Sequence, residues 1–294
     1  MRSPFHGRQG GILVHMASIL AILSSILWGT SDFEGGRLSK KHAPLAVLGF
    51  TQVLGLVFGI FLMLVSGAWS AQPLGSGGYL VPGIIAGLFG YLGLFCLYAG
   101  LSTGRMGVVS PISSMGAIVP LTYALINGDK LSTITSIGVV LALVGVFCAS
   151  GPELSQGLPL KPLLLAIGAA LGFGTALTSM SIGAQSSALM TMVSMRGATF
   201  FVTIALALKF RTMGGFTKKE YPSLIFIGVA DFLANVLLGI ACTKGLVSIA
   251  MVLGSLFPIV TALLAFKFLR ERLQKVQYIG IALAVAGVAL ISAF

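Results

Sequence analysis

The chain has 294 residues, of which 9% are charged, and its mean hydropathy is +1.03. A soluble domain carries about 25% charged residues, so water is excluded as the main solvent of this chain. The net charge of +11 does not mark a nucleic-acid binder, because the lysines and arginines sit in short turns between apolar stretches, as topology signals do.

In chain order, residues 1–15 read as a short N-terminal leader, with Met16 as an alternative start. Ten apolar spans follow, at 16–36, 43–66, 79–102, 106–126, 132–150, 161–182, 188–208, 221–243, 246–266 and 274–293. No charge lies between Lys41 and Arg105, a run far longer than the roughly 20 apolar residues that cross a bilayer. Polar breaks such as 66–78 divide it. Cys96, Cys148 and Cys242 all fall inside spans, as small packing residues rather than a disulfide set.

The chain repeats itself. Asp129-Lys130-Leu131, Gly138, Leu141-Ala142, Gly145-Val146 and Ser150 recur as Glu271-Arg272-Leu273, Gly280, Leu283-Ala284, Gly287-Val288 and Ser292, at a constant offset of 142. Leu20-Ala21-Ile22 and Gly29-Thr30 recur 145 residues later as Leu165-Ala166-Ile167 and Gly174-Thr175. Ser110, Gly116 and Pro120 recur 138 residues later as Ser248, Gly254 and Pro258. This is an internal duplication, with halves at 16–150 and 159–294 joined by a linker at 151–158. Five spans per half is odd, so the halves enter the bilayer in opposite senses. The expected fold is an all-α membrane protein with ten transmembrane helices in two inverted five-helix repeats.

The 39 glycines are nearly twice the average share, and pairs such as Gly55/Gly59, Gly83/Gly87 and Gly168/Gly172 have the spacing that lets membrane helices approach closely. Loops after the odd-numbered spans hold thirteen lysines and arginines. The termini and the other loops hold four, namely Arg2, Arg8, Lys130 and Lys244. The positive-inside rule then puts both termini outside.

Residues 27–33 (Leu27-Trp28-Gly29-Thr30-Ser31-Asp32-Phe33), Pro120, Pro258 and Leu269-Arg270-Glu271-Arg272-Leu273 followed by Gly280 and Gly287 carry a family likeness. With them the chain resembles the drug/metabolite transporter superfamily, specifically its ten-helix EamA-type members. The likeness covers nearly the whole chain and is weak for substrate. It implies secondary transport, often export, of amino acids or other small metabolites through a cavity between the repeats. Two features depart from the family habit. Asp129 stands where the pattern has Glu, and the charge count puts the termini outside where ten-helix relatives keep them inside.

Ionisable groups inside spans are expensive and are the first functional candidates. Asp32 shares a helical face with Ser24, Ser25 and Trp28. It reads either as a protonatable cavity carboxylate or as a helix-end acid beside Arg37. Asp231 and Asn235 lie four apart on one face of the eighth span, with Asp231 deep. Arg196, mid-way along the seventh span, needs an acidic partner or an anionic ligand group. Asp231 and a substrate carboxylate are the two candidates. Ser114 and Ser255 accompany Pro120 and Pro258, where freed carbonyls face a polar cavity or the helices merely kink. Trp28, Tyr91, Tyr98 and Tyr123 serve either as cavity wall or as packing and interface anchors.

His6, His15 and His42 lie away from span centres, and the sequence has no zinc helix and no phosphate loop with Gly-Lys-Ser/Thr. Catalytic residues, metal ligands and cofactors are therefore not assigned. The expected substrate-binding set is Trp28, Asp32, Tyr98, Ser114, Arg196, Asp231, Asn235 and Ser255, with Asp231 and Asp32 as proton-coupling candidates. The expected protein is a multi-pass secondary transporter in the cell membrane, an exporter or exchanger of a small polar metabolite such as an amino acid, working by alternating access between the two repeats, with the lipid bilayer and a small-molecule substrate as partners and no nucleic acid. An intramembrane enzyme acting on a lipid intermediate and a non-transporting scaffold are the rival readings.

Overall fold

The computed structural model describes residues 4–75, 77–102, 109, 112–149, 160–211, 214–269 and 273–293; helices joined by short turns and loops make up this part of the chain, with no strand among the described residues. The expected linker at 151–158 lies outside the described residues, as do Ser110-Pro111, Ser150 and Glu271-Arg272.

The α-helices are α1 (Pro4–Ser39), α2 (Pro44–Ser66), α3 (Leu80–Ser102), α4 (Ile118–Ile126), α5 (Thr133–Ala149), α6 (Leu160–Phe210), α7 (Tyr221–Lys244), α8 (Val247–Gly254), α9 (Phe257–Leu269) and α10 (Lys275–Ala293). The residues expected as a leader continue into α1 without a break from Pro4. Pro44 sits in the first turn of α2, where its missing N–H costs nothing. Gly67 ends the helix in the left-handed region at φ 67°, its N–H bonded to the Met63 carbonyl at 3.1 Å. Six stretches are long and apolar enough to cross a bilayer: 15–39, 44–66, 80–102, 160–209, 221–244 and 247–268. Ile112–Ile126, Thr133–Ala149 and Lys275–Ile291 are shorter apolar helices.

Four expected spans differ in detail. Spans 161–182 and 188–208 are not separated by a loop. They join in α6 at Ser187, the one residue there with non-helical angles (φ −161°, ψ 113°). Its hydroxyl accepts from the Met190 N–H at 3.2 Å and so caps the second arm. The ninth span is broken between Gly254 and Phe257, where Pro258 has no N–H to give to Gly254. The fourth tightens into a 3-10 turn at Met115–Ala117, just before Pro120. The two prolines hold equivalent places in the repeat.

The halves interlock through matched contacts. A β-carbon at Gly29 would lie 2.5 Å from the Phe257 carbonyl oxygen, and one at Gly174 would lie 2.6 Å from Val119 Cγ2. These are the same contact in each half, since 29 maps to 174 and 119 to 257 at the offsets already given. Gly87 against the Met195 carbonyl is likewise mirrored by Gly228 against that of Thr51, at 2.4 and 2.6 Å from a built β-carbon.

α5 and α10 close the set. Gly145 lies against Ala284, and Gly287 against Ala142. Gly280 lies against Ala149, and Gly138 against Ile291. Each step forward on α5 is a step back on α10, so the equivalent helices of the two halves run antiparallel. Only residues without side-chain bulk allow backbones this close.

The exterior is apolar, with Val65, Phe201 and Leu208 all more than 70% exposed. The polar groups are inside: Thr51, Gln52, Ser113, Ser114, Thr199, Thr203, Asn235 and Arg196 are buried. An apolar skin over a polar interior suits lipid rather than water. The chain is an integral, multi-pass membrane protein.

Two polar clasps join the halves at opposite ends of α7. At its start, His42 Nε2 and Glu220 Oε1 are 3.0 Å apart, and Glu220 Oε2 accepts from Thr217 N–H at 2.8 Å. At its end, Asp129 Oδ2 accepts from the Ser248 N–H and hydroxyl at 2.9 and 2.7 Å, satisfying a free donor in the first turn of α8. An aspartate at 129 thus has a place in this chain.

The His42 hydrogen bond, then the Thr217 N–H, holds the Glu220 carboxyl down to about 2, against an ordinary value of 4.5. A carboxyl depressed on folding stabilises fully above the unfolded value, and the gain is lost as pH falls from 4.5 through 2. Glu220→Gln should therefore lower Tm at pH 7 by a few degrees, and the gap to wild type should close between pH 4.5 and 2. Thermal melts across that range check this; a gap constant with pH would refute it.

Candidate functional site

One cavity of about 720 Å³, its open mouth included, is lined by several of the buried polar side chains. Both halves line it. The first contributes Trp28, Asp32, Gln52, Tyr91, Ser113 and Ser114; the second contributes Phe173, Leu177, Arg196, Asp231, Asn235, Ser255 and Phe257.

The α6 second arm carries Arg196 inward, where it is 3% exposed. A guanidinium so far from water needs an anion and further acceptors. Arg196 has both: Nη2 meets Asp231 Oδ2, and Nη1 donates to Gln52 Oε1 at 2.5 Å. The Arg196 carbonyl takes the Thr199 hydroxyl at 3.0 Å. Asp231 Oδ1 accepts from Trp28 Nε1 at 3.1 Å and from Asn235 Nδ2 at 3.4 Å. Asn235 also donates to the Asp231 backbone carbonyl at 2.7 Å, one turn back on α7. The network spans the halves, since Trp28 and Gln52 belong to the first and Arg196 and Asp231 to the second. Of the two partners considered for Arg196, the geometry supplies Asp231.

Asp32 is different. It is half-buried, lines the same cavity, and among the described residues no donor hydrogen-bonds its carboxylate. It sits one turn beyond Trp28 on α1, and Trp28 meets Phe257 edge to face at a centroid distance of 6.3 Å. Arg37, considered as its neighbour, pairs instead with Glu34 at 2.6 Å.

Seven of the eight expected binding residues line the cavity: Trp28, Asp32, Ser114, Arg196, Asp231, Asn235 and Ser255. Tyr98 does not. Its ring is 2% exposed and packs under Gly35, where a β-carbon would lie 2.3 Å from the hydroxyl oxygen. Tyr91 shares its face of α3 and does line the cavity, taking a hydrogen bond from Thr203 at 3.3 Å. Two turns of helix, roughly 10 Å, separate Tyr98 from Tyr91, and it sits behind the cavity wall within electrostatic reach of Asp32, Asp231 and Arg196. Gln52 was missed, although one amide in the middle of the uncharged span 43–66 is the kind of signal that marks a buried polar contact. Among the described residues no group of three or more His, Cys, Asp or Glu side chains converges as a metal site.

Lining positions also map onto one another between the halves. The offset of 145 carries Trp28 onto Phe173 and Asp32 onto Leu177. The matched contacts of Thr51 and Met195 set an offset of 144 for the next helix pair, which carries Gln52 onto Arg196. The cavity is duplicated in shape and not in charge.

Known proteins bear on the same two halves. A Methanocaldococcus jannaschii protein, itself uncharacterized, is 26% identical over 135 residues, which are 46% of this chain and 96% of that relative. It is thus about one repeat long. A crystal structure of another protein superposes on 93% of this chain and 95% of its own with a TM-score of 0.75, at 19% identity, a likeness of fold alone. A family of membrane transporters matches twice, over residues 15–151 and 160–293. Matched across both halves and nearly end to end, the chain belongs to the EamA-like transporter family.

Proposed function

We propose that this protein is a secondary transporter of the cell membrane that moves a small polar metabolite by alternating access. The observation that carries the reading is the cavity built jointly by both halves, with an inter-half polar network at its wall. Ten crossings follow if the two arms of α6 cross separately and the shorter apolar helices cross as well. The antiparallel pairing of α5 with α10 supports halves inserted in opposite senses. Rocking of one half on the other would break and remake the clasps at the two ends of α7.

Proton coupling, where present, belongs to Asp32 rather than Asp231. Asp231 already faces a guanidinium and two further donors, so protonating it would strand Arg196. Asp32 has no such tie. In proteoliposomes the protein should carry out solute counterflow, and an imposed pH gradient should drive accumulation. Asp32→Asn should lose gradient-driven accumulation, and whatever counterflow survives should need higher solute concentrations, because Asp32 also lines the cavity. Solute-independent behaviour, or product formation without flux, would overturn the transport reading.

Orientation follows the basic residues, with the termini outside. Lys218→Cys, in the exposed loop before α7, should react with an impermeant thiol reagent only in lysed cells. Lys130→Cys, on the opposite face, should react in intact cells. The reverse pattern would invert the protein and its direction of transport.

A further inference from the structure

We infer that the cavity selects a small organic amine, bound by its ammonium at Asp32 with its apolar body toward the mirror wall at Leu177 and Phe173. The inference rests on the transport reading above and names its cargo class.

Three observations on the cavity lead there. First, its charges do not cancel. Arg196 and Asp231 neutralise each other within one network, and Gln52 takes a further guanidinium hydrogen. Asp32 is the lining carboxylate left without a cation, so the lining carries one net negative charge whenever Asp32 is ionised, the form that a bound ammonium favours. A cargo carboxylate would meet a guanidinium already matched and a free carboxylate that repels it. A cargo ammonium would supply what Asp32 lacks, a charged donor.

Second, the walls are aromatic. Trp28, Tyr91, Phe173 and Phe257 all line the space, and Trp28 is one turn from Asp32. Aromatic faces attract cations through their quadrupole and repel anions, an effect that grows away from water. Indole and phenyl surfaces also bury an apolar body.

Third, duplication is broken where the cargo would bind. The mirror of Asp32 is Leu177, and the mirror of Trp28 is Phe173. One wall therefore offers a carboxylate and an indole, and the other an aliphatic and a phenyl side chain. A molecule charged at one end and apolar at the other fits this polarity. A dication would put its second charge against Leu177, and a neutral polyol could donate to Asp32 but would leave its charge unpaired and set hydroxyls against the apolar wall.

The test measures binding separately from flux, on the full chain purified in lipid nanodiscs. The probes are phenethylamine, neutral 2-phenylethanol, anionic 3-phenylpropanoate and zwitterionic phenylalanine, which share a phenyl body. Calorimetry and thermal shift should show saturable binding of phenethylamine, with the alcohol and the carboxylate about 10- to 100-fold weaker, the worth of one charged hydrogen bond. Asp32→Asn should lose that margin, so that amine and alcohol bind alike, while Asp32→Glu keeps the preference for amine. The melting of unliganded Asp32→Asn shows whether it is folded. Should it fail to fold, the probe ranking on wild type and on Asp32→Glu still decides. Tighter binding of phenylalanine or 3-phenylpropanoate than of phenethylamine overturns the inference. So does absence of phenethylamine binding, or binding that Asp32→Asn leaves intact. Amine binding without flux of any solute would instead sink the transport reading and leave the cation site standing. Flux of zwitterion or anion without amine binding would do the opposite.

Discussion

Arg196→Met should cost about 3–5 kcal/mol of stability and abolish transport. The arginine is buried, and among the described residues lining the cavity its charge is the only positive one. Removing it leaves Asp231 unpaired beside Asp32, two carboxylates in one low-dielectric space. The cost arises from the stranded charge more than from the lost contact, which makes it recoverable. Arg196→Met combined with Asp231→Asn removes both charges and keeps a carbonyl oxygen for Trp28 Nε1. This double variant should regain most of the lost Tm while remaining inactive. Arg196→Lys should not rescue, because the Gln52 and Asp231 bonds use two nitrogens of one planar fork. Melting of the three variants in detergent, beside counterflow in proteoliposomes, tests this. A double variant no more stable than Arg196→Met would show that the ion pair is not a unit.

The second large effect is expected at the seam between α5 and α10. Gly145→Ala and Gly280→Ala should each destabilise more than ordinary overpacking, which costs about 1–3 kcal/mol. A β-carbon at Gly145 would lie 2.4 Å from Ala284 N, and one at Gly280 would lie 2.2 Å from Ala149 N. Those neighbours are backbone atoms and cannot rotate away, so the helices must separate. Once either substitution has parted them, the other costs less, so the pair should be less than additive. Gly197 is the control. It lies in the second arm of α6 with nothing within 4 Å of a built β-carbon, and alanine there should be neutral or slightly stabilising. If Gly145→Ala and Gly197→Ala melt alike, the seam is looser than described.

These two expectations come from different levels of the molecule. The seam is legible in the amino-acid sequence. The repeated glycines and alanines of 138–149 and 280–291 stand out because a bilayer gives helices no hydrophobic reason to associate, so close packing has to be written in small residues. Span positions are legible for a related reason: backbone in hydrocarbon must be helical, and a long uncharged run leaves few alternatives. The ionisable candidates Asp32, Arg196 and Asp231 are legible too, because charge in such a span is costly.

The sequence by itself therefore determined the duplication, the helical class and the short roster of charged groups inside the bilayer. Only the tertiary structure decided how those groups are shared out. Arg196 and Asp231 are 35 residues apart on different helices, and no spacing rule joins them. Their union turns Asp231 from a free carboxylate into half of an ion pair, and leaves Asp32 as the one without a hydrogen-bond donor among the described residues. Gln52 and Tyr98 changed roles for a similar reason. On α2 and α3 nearly every residue is apolar, so periodicity marks no inward face, and depth along the axis cannot be read from composition. The join in α6 falls at Ser187, between the expected spans 161–182 and 188–208; that it needs no loop was not legible, because its neighbours all tolerate helix and one capping hydroxyl suffices to turn the chain there. Pairing and depth are set by how helices pack across the two halves. That is a long-range property, and a sequence read along its length does not carry it.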